Sequence, residues 1–383
     1  MTGPATALLE GHVRSGEIAG AVALIACGDS VEVATAGVQD LESGAPMRRD
    51  TIFRIMSMTK PVTAAAAMIL VDEGRIGLDD PVERWLPELA NRVVLRTPES
   101  ELDDTVPADR AITVEDLLTL RLGLGWLHSG SVAAEMQALG VAPSADPVPF
   151  TPDEFMARIG RLPLAAQPGQ RWLYHTGADI LAVLIARAAR MKLEDFLQER
   201  LFRPLGMQDT GFHVPASELS RLATGYAHGP EGGLVVADGA RGGHYSTPPL
   251  FPSELVSTAD DYLRFARMLL RGGAPVLSAA SIRRMMTDHI TPEQKAASPF
   301  FPGFWDEKGW GYGGAVVTRG SEDGPRAGSY GWDGGFGTSF TADPATDTIT
   351  ILLLQRMMRG PDDAAIAEAL RRVAYTKFSP ITA

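Results

Sequence analysis

The sequence predicts an α+β fold, an antiparallel sheet flanked by helices with a helical domain inserted. Three observations predict it. Residues 20–27 and 30–38 are β-rich runs joined by Gly28-Asp29, a pair suited to a tight hairpin. β-rich runs return from about residue 310, and the segments between are mainly helical. A two-stranded hairpin is not stable alone, so strands from the two ends must meet in one sheet. The expected division is residues 1–80 plus 205–383 as a mixed domain built from both termini, with 81–204 as a mainly helical insertion.

In chain order, residues 5–16 read as a short helix ahead of the hairpin, and 51–56 lead into an apolar segment, Pro61 to Val71, closed by Gly74 as a C-cap. Residues 80–110, rich in Pro, Asp and Glu, read as loop. Residues 112–120 read as a helix with Thr113 near its cap, and 121–150 are punctuated by Gly and Pro. Thr151-Pro152-Asp153-Glu154 is a helix start, with a cap, a proline and then acids. Helices follow at 177–190 and 193–203, and 212–250 is irregular. Ser257 to Asp261 cap an amphipathic helix that runs through Leu270 to Gly272-Gly273, and 278–287 is a further helix. Strands are expected at 311–318, 327–333, 336–342 and 347–355, then a last helix at 362–375.

Composition narrows the function. The 383 residues are 45% hydrophobic and 21% charged, as in ordinary globular proteins. The net charge of −12 comes without any basic run, which argues against nucleic acid or an anionic membrane as partner. Cys27 is the one cysteine, so intramolecular disulfides and cysteine-based metal sites are out. The N-terminus has neither a basic region nor an apolar core of a signal peptide, and no apolar stretch reaches about 18 residues. A cytoplasmic protein without a membrane span is expected. G-x-S-x-G, H-E-x-x-H, P-loop and dinucleotide motifs do not occur.

Ser57-Met58-Thr59-Lys60 is the strongest chemical signal. A serine and a lysine three apart on a helix share a face. S-x-x-K by itself is weak, because both residues are common on surfaces. Here it opens an apolar run, which sets the pair at the mouth of a core. Burial is expected to lower the lysine pKa, and a neutral amine activates a neighbouring hydroxyl.

Further segments complete a pattern: Phe53 to Lys60, Ile112 to Leu118, Pro168-Gly169-Gln170-Arg171-Trp172-Leu173-Tyr174, Leu201 to Met207, and Leu255 to Asp261. With these, nearly the whole chain resembles the penicillin-recognising serine hydrolase superfamily, on the branch of class C β-lactamases, D,D-peptidases and family VIII carboxylesterases. The resemblance implies a β-lactamase/transpeptidase-like fold with the active site between the two domains. It implies Ser57 as nucleophile, Lys60 and Tyr174 as base and acid, and the backbone N–H groups of Ser57 and Gly335 as oxyanion hole.

Two motifs depart from the lactamase pattern. Tyr-x-Asn reads Tyr174-His175-Thr176, with Thr176 taken as an N-cap in a Thr176-x-x-Asp179 box and His175 as a wall rather than a base. Lys-Thr-Gly is matched by Trp332-Asp333-Gly334, as substrate-binding residues. Trp332 cannot pair with a substrate carboxylate, and the lost asparagine removes an amide contact. Both changes point to apolar acyl recognition. A tryptophan at this place resembles the esterases and related acyltransferases, which implies a small-molecule ester of small to medium acyl chain. The mechanism so implied needs no cofactor, and no metal-ligand spacing occurs. Asp333 could bind an amine or a water, or cap the strand turn, and Trp126 either lines the pocket or packs on its own domain. Acyl transfer and D-amino-acid amidase or peptidase activity are alternatives on the same residues. β-Lactamase or D,D-peptidase activity is a weaker one, and a non-catalytic binding module the weakest. Oligomeric state stays open.

Overall fold

The computed structural model describes residues 3–230 and 232–378. The five longest helices among the described residues are α1 (Pro4–Arg14), α2 (Thr59–Asp72), α3 (Thr176–Ala189), α4 (Ala259–Leu270) and α5 (Ala365–Phe378). The main sheet has seven strands: β1 (Gly20–Cys27), β2 (Ser30–Gly37), β3 (Lys308–Trp310), β4 (Ala315–Val317), β5 (Tyr330–Gly334), β6 (Thr338–Asp343) and β7 (Thr348–Leu354). Their order is β2-β1-β7-β6-β5-β4-β3, with every neighbouring pair antiparallel. The two chain ends therefore meet where Ala21 pairs with Leu354 and Cys27 with Thr348.

β1 reads as a continuous apolar run because both faces are covered. Ala21, Ala23 and Ile25 pack with residues of α1 and α5, such as Leu9 and Leu370. Val22, Leu24 and Ala26 face the larger core, which also holds α2, α3 and α4. α2 is buried from Thr59 through Leu70, since β-sheet and helices enclose it on all sides. Its end is as expected, with Gly74 at φ 66° taking the left-handed position past the helix.

Local signals place most elements well. Thr113 and Thr151 both form capping boxes, with Asp116 and Glu154. Thr258 caps α4 and Ser278 caps the helix Ala279–Met285. Several expectations need correction. Residues 80–110 contain a two-stranded ribbon, Val93–Leu95 with Thr105–Pro107, and 121–150 contain the helix Ser131–Ala138. The irregular 212–250 holds a hairpin, Gly225–His228 with Leu234–Asp238, whose Tyr226 bridges to Arg356. The single strand expected at 311–318 is two strands, β3 and β4, around a turn at Gly313. A Cβ on Gly313 would lie 2.5 Å from the Lys60 carbonyl oxygen, so only glycine lets this turn approach α2. Among the described residues no helix is long and apolar enough to cross a membrane.

Candidate active site

Ser57 stands on a strained, heavily braced turn. The strand Phe53–Met56 pairs with Leu255–Ser257 and breaks register between Arg54 and Met56. Met56 then takes φ 47°, a left-handed conformation that costs a non-glycine residue on the order of 1 kcal/mol or more. The helix proper starts at Thr59, so Ser57 precedes it, held by the Lys60 N–H to Ser57 carbonyl bond of 3.1 Å. Two side chains and one backbone N–H from three other elements pin the turn. Thr338 donates to the Ile55 carbonyl at 3.1 Å, Tyr262 donates to the Met58 carbonyl at 2.8 Å, and the Leu255 N–H donates to Thr59 Oγ1 at 2.9 Å.

Four predicted residues come together at this turn. Lys60 Nζ donates to Ser57 Oγ at 2.9 Å and lies 5.1 Å from the centre of the Tyr174 ring. Trp332 Nε1 donates to Tyr174 Oη at 2.7 Å. Tryptophan can only donate, so this bond stabilises negative charge on the phenol oxygen. Trp332 thus touches the tyrosine chemically as well as forming an apolar wall. Tyr174 is 7% exposed, with Phe300, Trp332 and Trp172 at centroid distances of 5.3, 5.5 and 5.7 Å.

The electrostatics overturn one expectation. Burial does push the Lys60 ammonium toward neutrality, but Tyr174, Glu254 and Asp179 outweigh it, and the pKa stands above that of ordinary lysine. Burial likewise holds the Tyr174 phenol up, against the opposing pull of Lys60 and of hydrogen bonds from Ser57 and Trp332. The resting pair is therefore ammonium and neutral phenol.

His175, between Tyr174 and α3, has φ 88° and ψ −74°, the rare γ-turn region. It occupies the N-cap position expected for Thr176, because Thr176 already belongs to the helix. The Thr176 hydroxyl is buried without a hydrogen-bond partner among the described residues, and the box with Asp179 does not form. Instead His175 Nε2 lies 3.3 Å from Asp179 Oδ2.

A cavity of about 470 Å³ opens over Ser57, lined among others by Trp126, Tyr174, His175, Trp332, Asp333 and Gly335. Trp126 is held there by its N–H to the Tyr174 carbonyl, at 2.7 Å. Gly335 has open space where a Cβ would stand. Gly334 does not line the cavity: its missing Cβ would sit 2.2 Å from the Ile55 carbonyl oxygen, so it serves close packing of β5 on the strand Phe53–Met56 that leads to Ser57. This corrects its reading as a substrate contact.

Two features were not read from the sequence. Phe300, Phe301 and Phe304 form an aromatic wall, signalled only by an aromatic doublet in a proline-bearing loop. Glu254 reaches Lys60, with Oε1 3.6 Å from Nζ. Its one signal was its place directly before the matching stretch Leu255 to Asp261.

This fold and this turn define a β-lactamase/transpeptidase-like protein, a hydrolase or acyltransferase by class. The family model described as Beta-lactamase matches residues 5–375, and the chain belongs to that family. Esterase EstB of Burkholderia gladioli is 31% identical over 97% of this chain and 94% of its own length. An uncharacterized protein of Mycobacterium tuberculosis is 41% identical, over 93% of this chain and 90% of its own. Among solved structures, EstCE1, a hydrolase with promiscuous acyltransferase activity, superposes with a TM-score of 0.80 at 24% identity, covering 97% of each chain. At that identity it speaks for the fold.

Proposed function

We propose that this protein is a serine carboxylesterase that cleaves esters of small to medium acyl chains through a Ser57 acyl-enzyme. The observation that carries this reading is the convergence of two hydrogen-bonded pairs, Lys60 with Ser57 and Trp332 with Tyr174, with Lys60 Nζ 5.1 Å from the Tyr174 ring centre, at the floor of an aromatic cavity. Ser57 Oγ attacks the ester carbonyl while the Lys60/Tyr174 pair, short of one proton, takes the hydroxyl proton. The same pair returns it to the leaving alcohol, then activates water to release the acid. The N–H groups of Ser57 and Gly335 receive the oxyanion, each contributing on the order of 3 kcal/mol. The site lies between the mixed lobe, 1–80 plus 205–383, and the helical insertion 81–204. The similarity to esterase EstB supports the ester substrate.

Acyl transfer to an alcohol is a second reading favoured by one feature. The cavity shares His175, Glu254 and Met357 with a neighbouring one of about 790 Å³, room for a second reactant. The test of the main reading is p-nitrophenyl butyrate hydrolysis by wild type and by Ser57→Ala. A rate well above background that collapses in the variant is expected, and an unchanged rate would sink the proposal. Adding an alcohol acceptor and looking for the new ester separates hydrolysis from transfer.

A further inference from the structure

Glu254 is held against the catalytic turn by backbone. The next residue, Leu255, gives its N–H to Thr59 Oγ1 at 2.9 Å, which fixes the carboxylate beside the first turn of α2. Glu254 Oε1 lies 3.6 Å from Lys60 Nζ, with the two side chains 15% and 4% exposed. Its second oxygen, Oε2, is buried and has no hydrogen-bond partner among the described residues. A carboxylate in that position is costly unless a cation faces it, and Lys60 is the cation that does.

We propose that Glu254 is a positioning residue for this reaction: its carboxylate holds Lys60 as the ammonium, aimed at Ser57, and sets the pH at which the Lys60/Tyr174 pair gives up its first proton. This rests on the serine-hydrolase reading above.

Other charged and titratable groups surround the pair. Tyr174 and Asp179 also act on Lys60 from the 174–179 segment, and Asp179 is itself faced by His175. Tyr245 faces Glu254 from the far side, with the Arg54 guanidinium 5.5 Å from its ring centre and paired to Asp238. The Glu254 charge stabilises the ammonium and repels a phenolate on Tyr174. Both effects keep the proton on the pair, so the competent form appears at higher pH than it would without Glu254. The pair loses its proton as a unit, and the conclusion holds whichever member releases it.

The test is the pH dependence of Ser57 labelling by a fluorophosphonate, read as rate relative to each protein's own plateau and located by intact mass. That normalisation keeps a partly unfolded variant from mimicking the effect. Glu254→Gln and Glu254→Ala are expected to move the rising limb down by roughly 1 to 2 pH units, while Glu254→Asp keeps it near the wild-type position. A limb that stays in place in both neutral variants, with only a lower plateau, would overturn the proposal and leave the Ser57 chemistry standing. Wild type that takes no label at Ser57 removes the hydrolase reading and this inference with it.

Discussion

Trp332 shows how one indole can do two jobs. In place of a lysine it presents an apolar face to the cavity and one N–H to Tyr174 Oη, at 2.7 Å. A fixed donor in this position keeps the tyrosine polarised without adding a charge beside it. Trp332→Phe removes the donor and little else at the wall. A hydrogen bond to a developing charge is worth about 1.5–3 kcal/mol, so kcat/KM is expected to fall about 10- to 100-fold with KM little changed. Because both Lys60 and Tyr174 hold their protons above the ordinary range, the wild-type rate should climb as pH rises through neutral into the alkaline range. Losing the Trp332 donor should move that limb higher still. Steady-state kinetics over pH check both; an unchanged kcat in Trp332→Phe would make the indole a wall only.

At the scale of elements, the strand Phe53–Met56 that leads to Ser57 is set by contact with β5, and two adjacent glycines there have opposite surroundings. A Cβ on Gly334 would meet the Ile55 carbonyl and Thr338 Oγ1, both at 2.2 Å, whereas one on Gly335 meets nothing within 4 Å. Gly334→Ala should therefore lower stability by about 1–3 kcal/mol and displace Ser57, two residues beyond Ile55. Gly335→Ala should melt like wild type yet slow the reaction, if a carbonyl docks against that backbone. Thermal melts with p-nitrophenyl butyrate rates distinguish them, and equal melts for the two variants would refute the packing role of Gly334. These elements also show what a sequence discloses. The hairpin at Gly28-Asp29, the caps at Thr113 and Thr151 and the S-x-x-K turn are set by neighbours in the chain, so they were legible. His175 displaced Thr176 as the helix cap because the backbone there is bent to bring Tyr174 over Lys60, a demand from outside the segment. The strand break at Gly313 follows from an approach to Lys60 about 250 residues away in sequence. Glu254 was illegible for the same reason: its meaning lies in Lys60, which only the tertiary structure brings beside it.

For the whole molecule, the decisive contact is the pairing of the two chain ends. β1 lies between β2 and β7, and its residues Ala21 to Ile25 are at most 1% exposed. It contributes to both cores, to the α1/α5 layer through Ala23 and Ile25 and to the α2 core through Leu24. Without it, β7 would lose one of its two ladders and present a bare apolar edge, the kind of edge that pairs between chains. The strand that leads to Ser57 would suffer in turn, since β6 holds Ile55 through Thr338. A chain lacking residues 1–38 is therefore expected to accumulate as insoluble protein, or as a soluble species without a cooperative melt or Ser57 labelling, although every proposed catalytic residue is still present. Soluble yield, near-UV circular dichroism and fluorophosphonate labelling read this directly. A truncated chain that melts cooperatively and labels at the full-length rate would mean that the remaining five strands suffice, and that the hairpin only decorates the sheet.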